Sequence, residues 1–261
     1  MAFERREIGP DRYVLVSNAL ERDGFLAAFS ERTGGTSTGP YRSLNLSFGV
    51  DDEEGHVRGN RAALAEGLAT GPWTLPEQVH GARVVRVGAK RGGAGFDQDA
   101  SRIADADALF TKSAALPLAV LTADCMPIVM ASAADGLLAT AHAGWRGLAE
   151  GLLKEVAALF PDPSTVRAAI GPAIGPCHYE VGEDVALAVS AGTEAGAVTE
   201  RREGRLYLDL VGTTRRELRS RGIRSVDDTS LCTACEPKRF FSHRRDDAIT
   251  GRQAGIGMRI P

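Results

Sequence analysis

LTADCMPIVMASAADGLLATAHAGWRGLAEGLLKEV, residues 121–156, is the stretch on which the reading of this chain turns. Two short apolar runs, each of strand length, flank a turn bounded by Gly136, and a helical pattern follows. Cys125 and His142 fall at the ends of those runs, with Trp145 and Arg146 next in line before the helix. A soft thiol and an imidazole brought to neighbouring strand ends point to a metal or to an activated nucleophile.

The rest of the chain supplies the setting. At 261 residues it is long enough for a substantial core, and 43% hydrophobic with 25% charged residues is ordinary globular composition. No linker divides it, so one domain over residues 1–261 is expected. The net charge of -3 gives no basic excess that would point to nucleic acid or an anionic membrane. No apolar run approaches the ~18 residues of a spanning helix, and the first residues, MAFERREIGP, are charged. A cytoplasmic monomer that binds neither nucleic acid nor membrane is therefore expected. Four cysteines are too few for a disulfide scaffold and suit a reducing compartment, where thiols stay free or bind metal.

Outward from the central stretch, residues 33–40 are rich in glycine, threonine and proline and read as a loop. Residues 52–69 carry leucine and alanine at helical spacing, with Asn60 and Arg61 on that helix. WTLPEQVHGARVVRVG reads as two short strands broken at His80 and Gly81. ADADALFT reads as a turn into another strand, and STVRAAIGPAIGPCHYEVGEDVALAV as a strand, a glycine–proline loop and a helix. LYLDLVGTTRRELRSRG is a strand end and a helix, and two more strands around a charged loop close the chain. No GxGxxG follows a strand, so a dinucleotide fold is not indicated. The class is α/β or α+β, with one mixed sheet covered by helices.

His80, Cys125 and His142 stand out together. They lie 45 and 17 residues apart, which excludes a compact zinc finger, but each marks a place where an apolar strand gives way to a turn. Two imidazoles and a thiolate leave one position of a tetrahedral zinc open, the pattern of a catalytic site, where bound water reaches a pKa of about 7. The same donors are compatible with copper. Without metal, Cys125 is a nucleophile with His142 as its base. The plainest alternative is a packed thiol and two ordinary imidazoles. Cys232 and Cys235 form a lone CTAC that reads as packed thiols, and Cys177 and His178 read as pocket wall.

The blocks EQVHG, LTADCMPIV, AHAGWRG, AIGPAIGPCHYEVG and FFSHRRDDAITGRQAG, in this order, resemble the signatures of the YfiH/YlmD family, also described as laccase-like polyphenol oxidases and as peptidoglycan editing factors. The resemblance runs from about Phe29 to the C-terminus. It implies that His80, Cys125 and His142 bind one catalytic zinc. It implies an α/β sandwich similar to that of the cytotoxic necrotizing factor deamidases. It further implies phosphorolysis of adenosine, inosine, guanosine or methylthioadenosine, together with adenosine deamination. Two rival activities come with it: copper-dependent phenol oxidation, and a cysteine amidase acting on UDP-MurNAc-peptide precursors with Cys125 as nucleophile.

The residues bear on this choice. Deamination suits an activated water with Asp124 moving protons, although Asp124 also reads as a carboxylate that fixes a turn. Phosphate needs cationic donors, and Arg61, Arg146, Arg244 and Arg245 are candidates, the first two foremost. Asn45 and Ser43 are candidate substrate contacts with an equal reading as turn stabilisers, and Trp145 is a candidate base-stacking surface. Five histidines cannot furnish the several copper sites of an ordinary laccase.

Overall fold

The computed structural model describes residues 1–261. Its first strands are β1 (Phe3–Gly9), β2 (Arg12–Ser17), β3 (Phe25–Ser30), β4 (Val84–Arg86), β5 (Ala108–Thr111), β6 (Leu118–Thr122) and β7 (Met126–Ser132). They are followed by β8 (Leu137–Ala143), β9 (Arg167–Ile170), β10 (Glu180–Val181), β11 (Val198–Arg202), β12 (Arg205–Asp209), β13 (Ser225–Asp228) and β14 (Gln253–Arg259). The helices are α1 (Asn18–Arg22), α2 (Glu54–Gly67), α3 (Trp145–Ala149), α4 (Leu152–Ala157), α5 (Glu183–Gly192) and α6 (Leu210–Ser220).

The expected α/β class is observed, and the mixed sheet is its centre, with strand order β13-β9-β7-β8-β5-β4. Its outer pairs β13–β9 and β4–β5 are parallel, whereas β9–β7, β7–β8 and β8–β5 are antiparallel. One sheet is not the whole of it. A five-stranded sheet, β1-β2-β3-β14-β6, stacks on the first, and a ribbon of β10, β12 and β11 lies apart. The second sheet was illegible as such because its last member, β14, joins β3 and β6 across more than a hundred residues of intervening chain.

Both central strands, β7 and β8, are buried at every residue, which is why they read as continuous apolar runs without alternation. Their two faces still separate. Ile128 and Met130 join Leu148, Leu152, Val156 and Leu218 of the helices, while Val129 and Ala131 meet Ala27 and Phe29 of the second sheet. The far face of that sheet, with Val16, Ala28 and Ile256, is covered by Leu64 of α2 and by Trp73. The order of layers is helices, mixed sheet, antiparallel sheet, then α2. Each Leu or Ile so enclosed contributes roughly 1.5–3 kcal/mol. The single helix expected after the central stretch is divided into α3 and α4 at Gly151, whose φ of +82° a side chain would resist. No helix is long and apolar enough to cross a membrane.

One buried charge ties the N-terminal strands to the C-terminal segment. Glu31, with no side-chain exposure, accepts from Arg5 at 2.8 and 2.9 Å and from Arg239 at 2.6 and 3.0 Å. Burial pushes its pKa up, but the bonds and charges of the two arginines outweigh this and hold it below the ordinary value. A depressed carboxyl stabilises the fold above its unfolded pKa of about 4.3, and that contribution is lost as pH falls through the folded value. The arginine partners remain 45% and 25% exposed, which holds the cost of Glu31→Gln near the low end for charged hydrogen bonds, about 2 kcal/mol at pH 7. Urea unfolding at neutral pH and again well below pH 4 is expected to show the difference from wild type shrinking in acid; a difference that stays constant would contradict the assignment.

Candidate active site

The register of β7 and β8 explains why Cys125 and His142 meet. Met126 is opposite Ala143 and Pro127 is opposite His142, so the residue just before β7 and the penultimate residue of β8 converge at one end of the central strands of the mixed sheet. His80 arrives by a different route. It is in a loop rather than at the break between two strands, because only Thr74 and Pro76 make isolated bridges before β4. That loop is held in strand-like register by Gln78, whose side chain donates to Leu121 O at 2.7 Å and accepts from Leu121 N at 2.9 Å. Gln78 and His80 both have positive φ, 62° and 63°.

Asp107, one residue before β5 and fully buried, organises the group. Its carboxylate accepts from the backbone N–H groups of Val79 at 3.1 Å, His80 at 3.0 Å and Gly81 at 2.7 Å. Its Oδ1 also lies 2.8 Å from His142 Nδ1. One carboxylate therefore sets the His80 loop and the orientation of the His142 ring, leaving Nε2 of His142 for the site. Sequence reading passed over Asp107; an aspartate in a turn feeding a strand looks like ordinary turn chemistry until its partners are known.

The two imidazole rings are 4.8 Å apart and nearly perpendicular. Ligand atoms of His80, Cys125 and His142 all fall within 4.8 Å of one another, close enough to hold one metal ion. The donors suit a borderline metal, and the backbone leaves room for them: a Cβ on Gly144 would come within 2.8 Å of Cys125 Sγ. Charges agree with this. Burial pushes the Cys125 thiol up, yet the charge and hydrogen bonds of His142 and His80 bring it down to about 6. Burial pushes His142 down, yet Cys125 and Asp107 raise it to about 9. In the metal-free protein the pair is thus a thiolate and an imidazolium, and a cation in place of that proton satisfies the same thiolate.

The group opens into a cavity of ≈ 400 Å³. Four arginines line it, Arg102, Arg146, Arg244 and Arg252, against two carboxylates, Glu77 and Asp124, so the cavity favours an anion. Trp145 and Tyr179 supply aromatic surface, and burial holds the Tyr179 phenol above its ordinary pKa and hence protonated.

Several expected site residues are elsewhere or otherwise engaged. Arg61 is turned into the core from α2, where its donors go to the carbonyls of Leu46 (2.7 Å), Gly95 (2.6 Å) and Phe96 (2.7 Å) and its guanidinium stacks on Phe48. Burial, then the charge of Arg102, lowers its pKa to about 9. It stitches two loops together and does not reach the cavity. Arg245 is likewise spent on Asp246 and on carbonyls of Thr233 and Phe240. Asn45 is fully buried and acts at one remove: it accepts from the backbone N–H of Arg252 at 2.9 Å, behind the cavity wall. Ser43 bonds Arg32 O and the N–H of Gly35, a turn role. Asp124 does line the cavity, but Thr233 Oγ1 donates to its Oδ1 at 2.5 Å and Arg244 N–H to its Oδ2 at 2.7 Å. Arg102 and Arg252 were missed, since arginines on loops carry no signal of where they point. Cys177, His178, Cys232 and Cys235, read separately from sequence as pocket wall and packed thiols, instead meet one another.

Comparison with known proteins agrees with the geometry. The family model for multi-copper polyphenol oxidoreductase laccase matches residues 26–259. The chain is 38% identical over 249 residues to the purine nucleoside phosphorylase YlmD of Geobacillus stearothermophilus, covering 90% of this chain and 91% of that one. It is 38% identical over 237 residues to the purine nucleoside phosphorylase YfiH of Escherichia coli, covering 89% and 93%. The crystal structure of YlmD from Geobacillus stearothermophilus superposes with a TM-score of 0.93 at 35% identity, over 100% of this chain and 99% of that one. The crystal structure of YfiH from Bacillus licheniformis gives 0.88 at 31% identity, over 97% and 98%. From β3 through β14 the chain is therefore a member of the multi-copper polyphenol oxidoreductase laccase family, to which the YlmD and YfiH proteins are its relatives.

Proposed function

We propose that this protein is a metal-dependent purine nucleoside phosphorylase that also deaminates adenosine, with His80, Cys125 and His142 holding zinc. The observation that supports it most is the joining of a His₂Cys group, oriented by Asp107, to a cavity with an excess of arginine. The relatives' activity points the same way. When bound, zinc would supply Lewis-acid polarisation and a nucleophilic water at neutral pH.

The chain's own residues account for the rest. Arg146, Arg244 and Arg252 receive phosphate, and guanidinium donors hold its oxygens for attack on C1′ of the sugar as the glycosidic C–N bond breaks. Trp145 and Tyr179 enclose the base, whose ring nitrogen must gain a proton as it leaves. For deamination, Glu77 and Asp124 are the carboxylates on the cavity wall; both oxygens of Asp124 are engaged, whereas Glu77 accepts one bond, from Asp105 N–H to Oε2 at 3.0 Å, which favours Glu77 as the proton carrier.

Copper is less well served. Copper would be held by the same His80, Cys125 and His142, and the five histidines of the chain do not furnish the further imidazoles that several coppers require. The cysteine-amidase reading gains one feature, since Asp107, His142 and Cys125 stand in the order of a catalytic triad. Cysteines that serve as metal ligands rather than in disulfides suit a reducing cytoplasm.

Untagged protein incubated with inosine, adenosine or methylthioadenosine is expected to release free base and sugar 1-phosphate in equal amounts only when phosphate is present. Chelation should silence it and zinc restore it. Turnover that survives chelation but is lost on alkylation of Cys125 would move the assignment to the cysteine route.

A further inference from the structure

Two loops that are far apart in sequence meet on the surface beside the second cavity of ≈ 320 Å³. The first follows β9 and ends in Cys177 and His178; the second follows β13 and carries Cys232 and Cys235. A parallel bridge between Ala173 and Cys232 holds them side by side. One ligand atom from each of the four side chains lies within 4.8 Å of the others.

The detail of the cluster is hard to explain without an ion at its centre. His178 Nδ1 lies 3.3 Å from Cys177 Sγ, 3.4 Å from Cys235 Sγ and 3.9 Å from Cys232 Sγ. One ring nitrogen has a single proton or a single lone pair, so it can satisfy only one of the three sulfurs. Cys177 and Cys235 sulfurs are 3.5 Å apart. Bonds of ~2.3 Å to sulfur and ~2.0 Å to nitrogen in a tetrahedron place ligand atoms roughly 3.5–3.8 Å from one another, and these four separations, from 3.3 to 3.9 Å, bracket that range. Gly175 N–H donates to Cys232 Sγ at 3.2 Å, the outer hydrogen bond that steadies a ligating thiolate. The spacing Cys232-x-x-Cys235 is that of one half of a structural zinc site, and the adjacent pair Cys177–His178 completes it.

We propose that Cys177, His178, Cys232 and Cys235 form a second, structural zinc site, closed by four protein ligands and separate from the His80–Cys125–His142 group. With no open position it performs no chemistry. Its effect is to clamp two loops that shape the far wall of the active cavity. Tyr179 follows His178 directly and lines that cavity. Thr233 follows Cys232 and donates to Asp124, and Arg244 Nη1 reaches the carbonyls of His178 and Glu180.

The test counts metal, so it stands apart from any activity. Protein made in zinc-supplemented medium and freed of loose metal by gel filtration is analysed for elemental zinc as wild type, Cys125→Ala, Cys235→Ser and His178→Ala, and as Cys125→Ala combined with Cys235→Ser. The expected stoichiometry is about two zinc per wild-type chain, about one in each single variant and none in the double variant. Cys235 and His178 are exposed, so their replacement should leave the core intact. Their Tm should fall by at least about 5 °C as the clamp is lost. Cobalt in the Cys125→Ala protein should give the intense visible bands of a tetrahedral thiolate-rich centre. A Cys125→Ala protein without stoichiometric zinc would overturn the proposal, as would an intact mass showing a Cys177–Cys235 disulfide in freshly purified wild type. One zinc in Cys125→Ala but none in Cys235→Ser would retain this site and remove the metal from the proposed active site instead.

Discussion

Cys125→Ala is expected to eliminate turnover, lowering kcat/KM on the order of 10³-fold or more, because it removes the one anionic ligand of the His80–Cys125–His142 group. The fold should survive. Cys125 is only half-buried, and its partners across β7 and β8 are held by a ladder that does not use its side chain. Far-ultraviolet circular dichroism and Tm should therefore stay near wild type while inosine phosphorolysis disappears. Cys125→Ser sharpens the comparison. A hydroxyl is a poor ligand for zinc, so metal content at this group should fall with activity. Activity in the alanine variant restored by added zinc would show that the thiolate is dispensable and would sink the assigned role.

The second large effect is expected at a residue that touches no substrate. Asp107→Asn keeps the volume of the side chain but replaces one acceptor oxygen by a donor, in a place where three backbone N–H groups and His142 Nδ1 all converge. Leaving a buried donor against donors costs about 1–3 kcal/mol of stability. Loss of an outer-shell partner typically costs 10–100-fold in metal affinity or activity. This one carboxylate holds both the His142 ring and the backbone of the His80 loop, so an effect at the upper end is expected, with kcat falling more than KM rises. Titration with zinc separates the readings. If Asp107 positions ligands, activity lost in Asp107→Asn should return in part at high zinc; in a cysteine triad, zinc should have no such effect and alkylation by iodoacetamide should slow as the thiolate is lost.

Much of the site could be read along the chain because its members lie where local chemistry changes. Cys125 and His142 end apolar runs, and β7 and β8 are neighbours joined by a short turn, so their pairing follows from the sequence itself. Arg146 and Trp145 inherit their position from His142, a few residues earlier in the same turn into α3. Arg61 shows the limit of that logic. It is on the helix where it was expected, yet helical phase turned its guanidinium inward to three carbonyls, a choice that depends on loops 44–48 and 95–96 being beneath it.

Local pattern was sufficient for the α/β class, the strands of the central stretch and helix α2, and it singled out His80, Cys125 and His142 as candidate donors, because period, turn residues and donor type are properties of short segments. Tertiary structure alone decided the stacking of a second sheet, the convergence of Arg102 and Arg252 on the cavity, the role of Asp107 and the meeting of Cys177 and His178 with Cys232 and Cys235. Each of these joins segments tens of residues apart, and which of many possible partners a carboxylate or a thiol finds is set by the packing of the layers between them.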